Sequence, residues 1–284
     1  MEFRHQGLSL ELTILDINRI ILHEEVHHDI LKELCQCIIK QGVFSQPVMV
    51  DKKSFVVLDG MHRVTALKDL NARRVPVCFI DYSNPAIILG AWYRTLKTQQ
   101  SFDEIIVAIN EAGIRSRPID FEDATNELKE RKASAVLIGD KRAFLINPIF
   151  RSIEEAYKII NKIEKTLVNR GYQLAFETET DALNKFEAGL VDAVLMTPLI
   201  KKNEVIDVAK SGRVFTPKAT RHIIPARPIN ILIPLTLLRD EAISLEEADS
   251  WLVNHLKKKR LTFMPPKSFI GGRRYDEETC LFED

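Results

Sequence analysis

Residues 8–22 alternate apolar and polar positions, beginning with Leu8, Leu10, Leu12 and Ile14 on one side and Ser9, Glu11 and Thr13 on the other. This two-residue period predicts one or two half-buried strands. Over residues 29–41 the period lengthens. Ile30, Leu31, Leu34, Cys35 and Ile38 mark a helix with one buried face, and Gly42 follows as its stop signal. Two β-rich runs around the polar residues 51–54 predict a hairpin ending in Asp59-Gly60. Val64, Leu67 and Leu70 place a helix over residues 63–70, and residues 75–82 read as a strand. Strand, helix, hairpin, helix and strand are thus complete by residue 82, too short a span for a doubly wound nucleotide fold.

Asn84-Pro85 marks a break in the pattern, and a second series starts at residue 101. Helices are predicted over residues 101–113, 121–132, 152–170, 180–189 and 203–211. A hairpin turns at Gly139-Asp140, and strands fall at residues 173–176 and 193–196. Helices and strands are mixed, a pattern of α+β or α/β proteins, and α+β is the class expected. A length of 284 residues suits two domains, divided here as 1–100 and 101–284.

Lys+Arg and Asp+Glu both number 40, so the chain lacks the basic excess of a general nucleic-acid binder. The basic run Lys257-Lys258-Lys259-Arg260 follows an amphipathic stretch with Trp251, Leu252 and Leu256, and reads as a solvated helix end. No stretch approaches a membrane span, and the N-terminus does not read as a signal peptide, which makes the cytoplasm the default compartment. Cys35, Cys37, Cys78 and Cys280 do not form a disulfide framework pattern. His5, His28 and His255 belong to no constellation and read as surface residues.

Chemistry concentrates at Asp59-Gly60-Met61-His62-Arg63. A strand that ends in Asp-Gly and passes at once into a helix leaves backbone N–H groups unpaired at the helix start, where an anion is favoured. Gly60 allows close backbone approach, Asp59 can hold Mg²⁺, and Arg63 can pair with a phosphate oxygen. The same residues also describe an ordinary turn with Asp59 as a cap and His62-Arg63 in a solvated first turn. His23-Glu24-Glu25-Val26-His27 matches the zinc-protease pattern, but a strand-like run leads directly into His23, whereas zinc binding needs both histidines on one helix face.

The Asp-Gly-x-His-Arg turn, preceded by a His-Glu pair and a short helix, resembles the N-terminal domain of the ParB/sulfiredoxin superfamily. Two further segments are similar to the free serine kinases of that superfamily, in archaea and in the siderophore pathways of bacteria. These are Ile21-Leu22-His23-Glu24-Glu25-Val26, and residues 212–225 with the core Phe215-Thr216-Pro217-Lys218-Ala219-Thr220-Arg221-His222. Trp92, in Gly90-Ala91-Trp92-Tyr93, matches the tryptophan those kinases carry beside the amino acid. The resemblance covers roughly residues 10–240, leaves the stretch from Leu235 to Asp284 without a role, and implies a ParB/sulfiredoxin-like domain joined to a second α/β domain, with the active site in the cleft between them.

It further implies phosphorylation of free L-serine to O-phospho-L-serine with Mg²⁺ and ATP, or ADP, as donor. Glu24 would be the general base. Asp59 would act with it and hold the metal, and Gly60, Met61, His62, Arg63 and Thr220 would bind the nucleotide phosphates. Cys37, Trp92, Arg221 and His222 would contact the serine. The rival implied by the same domain is a ParB-like, nucleotide-binding, DNA-associated regulator, which would need neither Glu24 nor the Thr-Arg-His segment.

Overall fold

The computed structural model describes residues 1–148, 150–270 and 272–284. The chain divides into two compact units that are discontinuous in sequence. The first holds Met1–Ile88, Lys202–Pro217 and His222–Asp284, and the second Leu89–Lys201 and Lys218–Arg221.

The first unit begins with a hairpin of β1 (Glu2–His5) and β2 (Leu8–Asp16). Leu8, Leu10, Leu12 and Ile14 of β2 are buried, as the alternation predicts. Asp16 ends the strand by accepting from the Asn18 N–H, and a single helical turn follows. Helix α1 (His28–Gln41) buries Leu31 and Ile38 and stops at Gly42, whose positive φ of 67° lets its N–H reach the Ile38 carbonyl at 2.9 Å. After β3 (Val43–Phe44) come β4 (Val48–Asp51), β5 (Val57–Asp59), α2 (Met61–Asp69) and β6 (Arg74–Ile80). The β4–β5 turn is held by the buried Asp51 carboxylate, which accepts from the Ser54 N–H and hydroxyl at 2.9 and 2.6 Å. The five strands order as β1-β2-β6-β4-β5, with β6 buried along its whole length and parallel to β4. Asp59 is therefore set at the end of an edge strand, with α2 starting directly beyond it.

The chain leaves this unit through β7 (Ile88–Gly90). The second unit contains β8 (Trp92–Lys97), α3 (Phe102–Glu111), β9 (Ser116–Ile119), α4 (Ala124–Lys129), β10 (Ala135–Gly139), β11 (Arg142–Ile146), α5 (Ile153–Asn169), β12 (Gln173–Thr178), α6 (Glu179–Glu187) and β13 (Ala193–Met196). Its sheet, β12-β8-β13-β10-β11-β9, is antiparallel throughout. Ser101 and Glu104 form a reciprocal capping box at α3, and Ser152 caps α5. Ile153, Ala156, Tyr157, Ile160, Ile163 and Leu167 form the buried stripe of α5, the spacing its sequence predicts.

The remaining elements are α7 (Lys202–Lys210), β14 (Arg221–Ile223), β15 (Arg227–Ile229), β16 (Ile233–Pro234), α8 (Leu235–Arg239), α9 (Leu245–Leu256), β17 (Arg260–Met264), β18 (Phe269–Ile270), β19 (Arg273–Arg274) and β20 (Thr279–Glu283). Within the first unit α9 rests on β2, where Asp249 accepts from the Thr13 hydroxyl at 2.7 Å and the Ile14 N–H at 3.0 Å. Strand β20 lies between β15 and β17. His5, expected as a surface residue, instead stacks on Phe263 at 4.1 Å and bonds Glu278 at 2.7 Å, because the C-terminal segment returns to the first hairpin. No helix among the described residues is long and apolar enough to cross a membrane.

Candidate active site

The turn at residues 59–63 has the geometry its sequence predicts. Gly60 adopts φ 110°, a conformation open to glycine and strained for other residues, and caps α2. A Cβ on Gly60 would meet the Arg63 guanidinium at 3.0 Å. That guanidinium folds back onto its own turn. Nη1 donates to the Gln46 and Pro47 carbonyls at 3.1 and 2.5 Å, and Nη2 pairs with Asp59 Oδ2. Arg63 is thus half committed to organising the turn, a role the solvated-first-turn reading does not describe. Arg63→Ala would strand two carbonyls and one partner of Asp59, a loss of about 1–3 kcal/mol. We expect a melting temperature lower by several degrees in scanning fluorimetry, together with weaker nucleotide binding by calorimetry.

His62 is anchored from the other side. Its Nε2 accepts the His27 N–H at 3.0 Å, so the proton of the neutral ring resides on Nδ1. His62 and His27 lie nearly parallel, 6.3 Å apart. His23 and His27 occupy extended backbone before α1 and do not share a helix face, so the zinc-protease pattern is coincidental in its spacing.

The segment carrying Glu24 threads between two others. Ile21 bridges Val56, and His23 Nδ1 donates to the Val57 carbonyl at 2.6 Å, two residues before Asp59. On its far side Glu24 forms a parallel bridge with Phe215, fixed by Phe215 N–H to the His23 carbonyl at 2.8 Å and Glu25 N–H to the Phe215 carbonyl at 2.9 Å. The Ile21–Val26 motif, the Asp59 strand and the start of the 212–225 motif are therefore laced together within the first unit. Glu24 itself is 8% exposed.

His222 is buried beside this lacing. Its ring lies 5.5 Å from that of His23, and its Nε2 shares a hydrogen bond of 2.8 Å with the Tyr82 hydroxyl. Burial pulls His23 from the usual 6.5 down to about 4 and moves His222 in the same direction. Both are neutral at pH 7 when folded, whereas the unfolded chain protonates them below about 6.5. Between pH 6.5 and 4 the unfolded state binds more protons, so stability falls with pH, by about 3 kcal/mol on account of His23 alone. Chemical denaturation across that window should show the slope, and His23→Asn should flatten part of it.

The second unit holds a cluster of its own around Trp92. Its indole N–H donates to the Thr220 carbonyl at 3.0 Å, and Lys218 Nζ sits 4.8 Å from the ring centre. Arg221 lies 5.9 Å from the same ring and pairs with Glu179 at 2.9 Å, while Glu179 also accepts the Ala91 N–H at 2.7 Å. Gly90 makes room: a Cβ there would stand 2.9 Å from Arg221 Nη2. The fully buried Arg94 binds the Trp92 carbonyl, the Lys218 carbonyl at 3.1 Å and Glu164 at 2.5 Å. Lys218 and Arg221 both lie against the Trp92 ring, and Arg221 Nε is buried with no hydrogen-bond partner among the described residues. The guanidinium and ammonium groups beside the indole suit a carboxylate or phosphate ligand.

Glu24, Asp59, Gly60, Met61, His62, Arg63 and His222 belong to the first unit, and Trp92, Thr220 and Arg221 to the second. Met61 opens α2 and accepts the Thr65 hydroxyl at 3.0 Å. Cys37 is exposed on α1, away from the face that buries Leu31 and Ile38. Arg227 escaped the sequence reading: it is buried and pairs with Asp59 Oδ2. Tyr82 and Glu179 were also missed, and only the tendency of buried polar groups to find partners could have flagged them.

No protein-family model matches the chain. The ATP-dependent L-serine kinase of Staphylothermus marinus is 33% identical over 237 residues, spanning 81% of this chain and 92% of that protein. The ADP-dependent L-serine kinase of Thermococcus kodakarensis is 24% identical, over 80% of this chain and 93% of its own length. Among solved structures, a variant of a free serine kinase in complex with AMP aligns with a TM-score of 0.72 at 23% identity, covering 81% of this chain and 94% of that one, and shows the same fold. With the signature segments in place and a relative this similar along most of both chains, the protein belongs to the family of the free L-serine kinases.

Proposed function

We propose that the chain transfers the terminal phosphoryl group of ATP to the side-chain oxygen of L-serine, with Glu24 as general base. The observation that carries this reading is the lacing of Glu24 to the Asp59 strand, through the His23 bond to Val57. Family membership favours it over the ParB-like regulator, which has no use for a buried glutamate at this place. In the reaction the bond between the terminal phosphorus and its bridging oxygen breaks, a bond to serine Oγ forms, and the hydroxyl proton passes to the Glu24 carboxylate. Phosphoryl transfer asks mainly for positioning and charge neutralisation. The N–H groups at the start of α2 hold phosphate oxygens, and Arg63 and His62 keep that turn in shape. Within the second unit, Thr220, Trp92 and Arg221 are assigned by resemblance to the phosphate and the serine, with Arg221 suited to a carboxylate. His222 supports the site from within through Tyr82. Cys37, exposed on α1, is assigned to the serine side by resemblance alone.

Mg²⁺ fits this donor set in one way. Among the described residues no group of three or more ligating side chains could hold a metal. Mg²⁺ characteristically takes one or two carboxylates and completes its shell with water and phosphate oxygens. Asp59 would be the protein ligand, and the ion would neutralise charge on the phosphates. Arg63 and Arg227 on Asp59 Oδ2 limit what that carboxylate can give and fix its orientation.

The donor is assigned as ATP because the more similar of the two relatives is named for it. Incubation with Mg²⁺, ATP or ADP, and an equimolar panel of free amino acids tests the assignment by mass spectrometry. O-phosphoserine should dominate, and form faster with ATP. Phosphorylation of another amino acid, or of none, would refute the proposal.

A further inference from the structure

The C-terminal segment, to which the sequence assigns no role, reaches the 59–63 turn along two routes within the first unit. In the first, Glu277 Oε1 accepts from Arg227 Nε at 2.8 Å, and Arg227 Nη1 pairs with Asp59 Oδ2. The parallel pairing of β15 with β20 sets Arg227 opposite Thr279, two residues past Glu277, so the sheet itself presents the carboxylate to the guanidinium. Arg227 and Glu277 side chains are 4% and 11% exposed. In the second route the Tyr275 hydroxyl accepts from Gln46 Nε2 at 2.9 Å, and the Gln46 carbonyl accepts from Arg63 Nη1 at 3.1 Å. Tyr275 is buried, and its backbone closes onto Lys267 and Ser268 at 2.7 and 3.0 Å.

Of the two guanidiniums that grip Asp59, Arg227 is held directly by Glu277 of the C-terminal segment, and Arg63 bonds the carbonyl of Gln46, whose side chain meets Tyr275. Arg227 divides its donors among Glu277, Asp59 and the His222 carbonyl, the last at 3.4 Å. Glu277 shares its charge, and the divided fork geometry holds Arg227 at a fixed angle to the carboxylate. Resting on the kinase reading of Asp59, we propose that Glu277 and Arg227 are positioning residues for phosphoryl transfer, so that the C-terminal segment sets the orientation of Asp59 in the nucleotide turn. Its effect falls on turnover, because the contact acts on the reacting phosphate's surroundings and not on the serine carboxylate.

The test compares Glu277→Gln, which keeps shape and removes charge, with Glu278→Gln, whose partners are His5 and Gln6 on the far side of the segment. Three quantities are measured on the full chain: kcat, KM for serine, and amide hydrogen exchange at residues 60–63. Glu277→Gln should lower kcat tenfold or more, leave KM within twofold and speed exchange at the turn. Glu278→Gln should change none of these, and Glu277→Asp should recover part of kcat. Unaltered kcat and exchange in Glu277→Gln would overturn the proposal, as would equal losses in both variants in step with their melting temperatures. If the parent chain forms no phosphoserine, the kinase reading fails on its own, and the exchange comparison still decides whether the segment governs the turn.

Discussion

Glu24→Gln should retain nucleotide affinity and lose turnover by about 10²–10⁴, the range over which a positioned general base contributes. The substitution conserves shape. Backbone bonds of His23 and Glu25 to Phe215, together with the His23 bond to Val57, hold the segment and do not depend on the Glu24 carboxylate. Circular dichroism and the melting temperature should therefore stay near those of the parent. What disappears is an acceptor for the serine proton, since an amide oxygen is a far weaker base. Calorimetric titration with ADP beside steady-state kinetics separates the two effects. A kcat near the parent value would remove Glu24 from the chemistry and direct attention to Glu25.

Asp59→Asn carries the second large effect, on stability and activity together. Its carboxylate is the shared partner of Arg63 and the buried Arg227. Breaking a buried pair typically costs 3–5 kcal/mol, because a charge is left without compensation. Here Asp59 is 27% exposed and Glu277 still faces Arg227, so about 2 kcal/mol is the expected loss in urea denaturation. Turnover should fall by at least about 10², as electrostatic alignment of a transferring phosphoryl group is lost. Nucleotide binding should weaken less than turnover, since the backbone N–H groups of α2 remain. A variant with unchanged stability would mean that the two arginines do not depend on Asp59.

What the sequence made legible was local. The β4–β5 hairpin, the Asp-Gly turn, the glycine stop after α1 and the apolar stripe of α5 all follow from periods and turn residues within about a dozen positions. The motif at residues 59–63 was legible as a place, while the direction of its side chains was not. Arg63 reads from sequence as a phosphate partner, yet its guanidinium turns inward to the Gln46 and Pro47 carbonyls. His222 reads as a substrate contact and is buried against His23 and Tyr82. Periodicity reports which face of an element is covered, and it is silent on which polar groups meet there.

Long-range pairing was the other blind spot. A reading that moves along the chain divides it once, near residue 100, whereas contacts return residues 202–217 and 222–284 to the first unit. Arg227 lies 168 positions from Asp59 and 50 from Glu277. Nothing in its immediate sequence, Ala226-Arg227-Pro228, marks it as part of the nucleotide turn. Only the β15–β20 pairing makes it so.

The most direct test of the central claim is a crystal structure of the chain with a non-hydrolysable ATP analogue and L-serine bound. The expected result places the terminal phosphate on the backbone N–H groups of residues 60–63, with the serine hydroxyl within about 3 Å of the Glu24 carboxylate. A nucleotide whose phosphates lie away from that turn, or a serine hydroxyl with no path to Glu24, would contradict it.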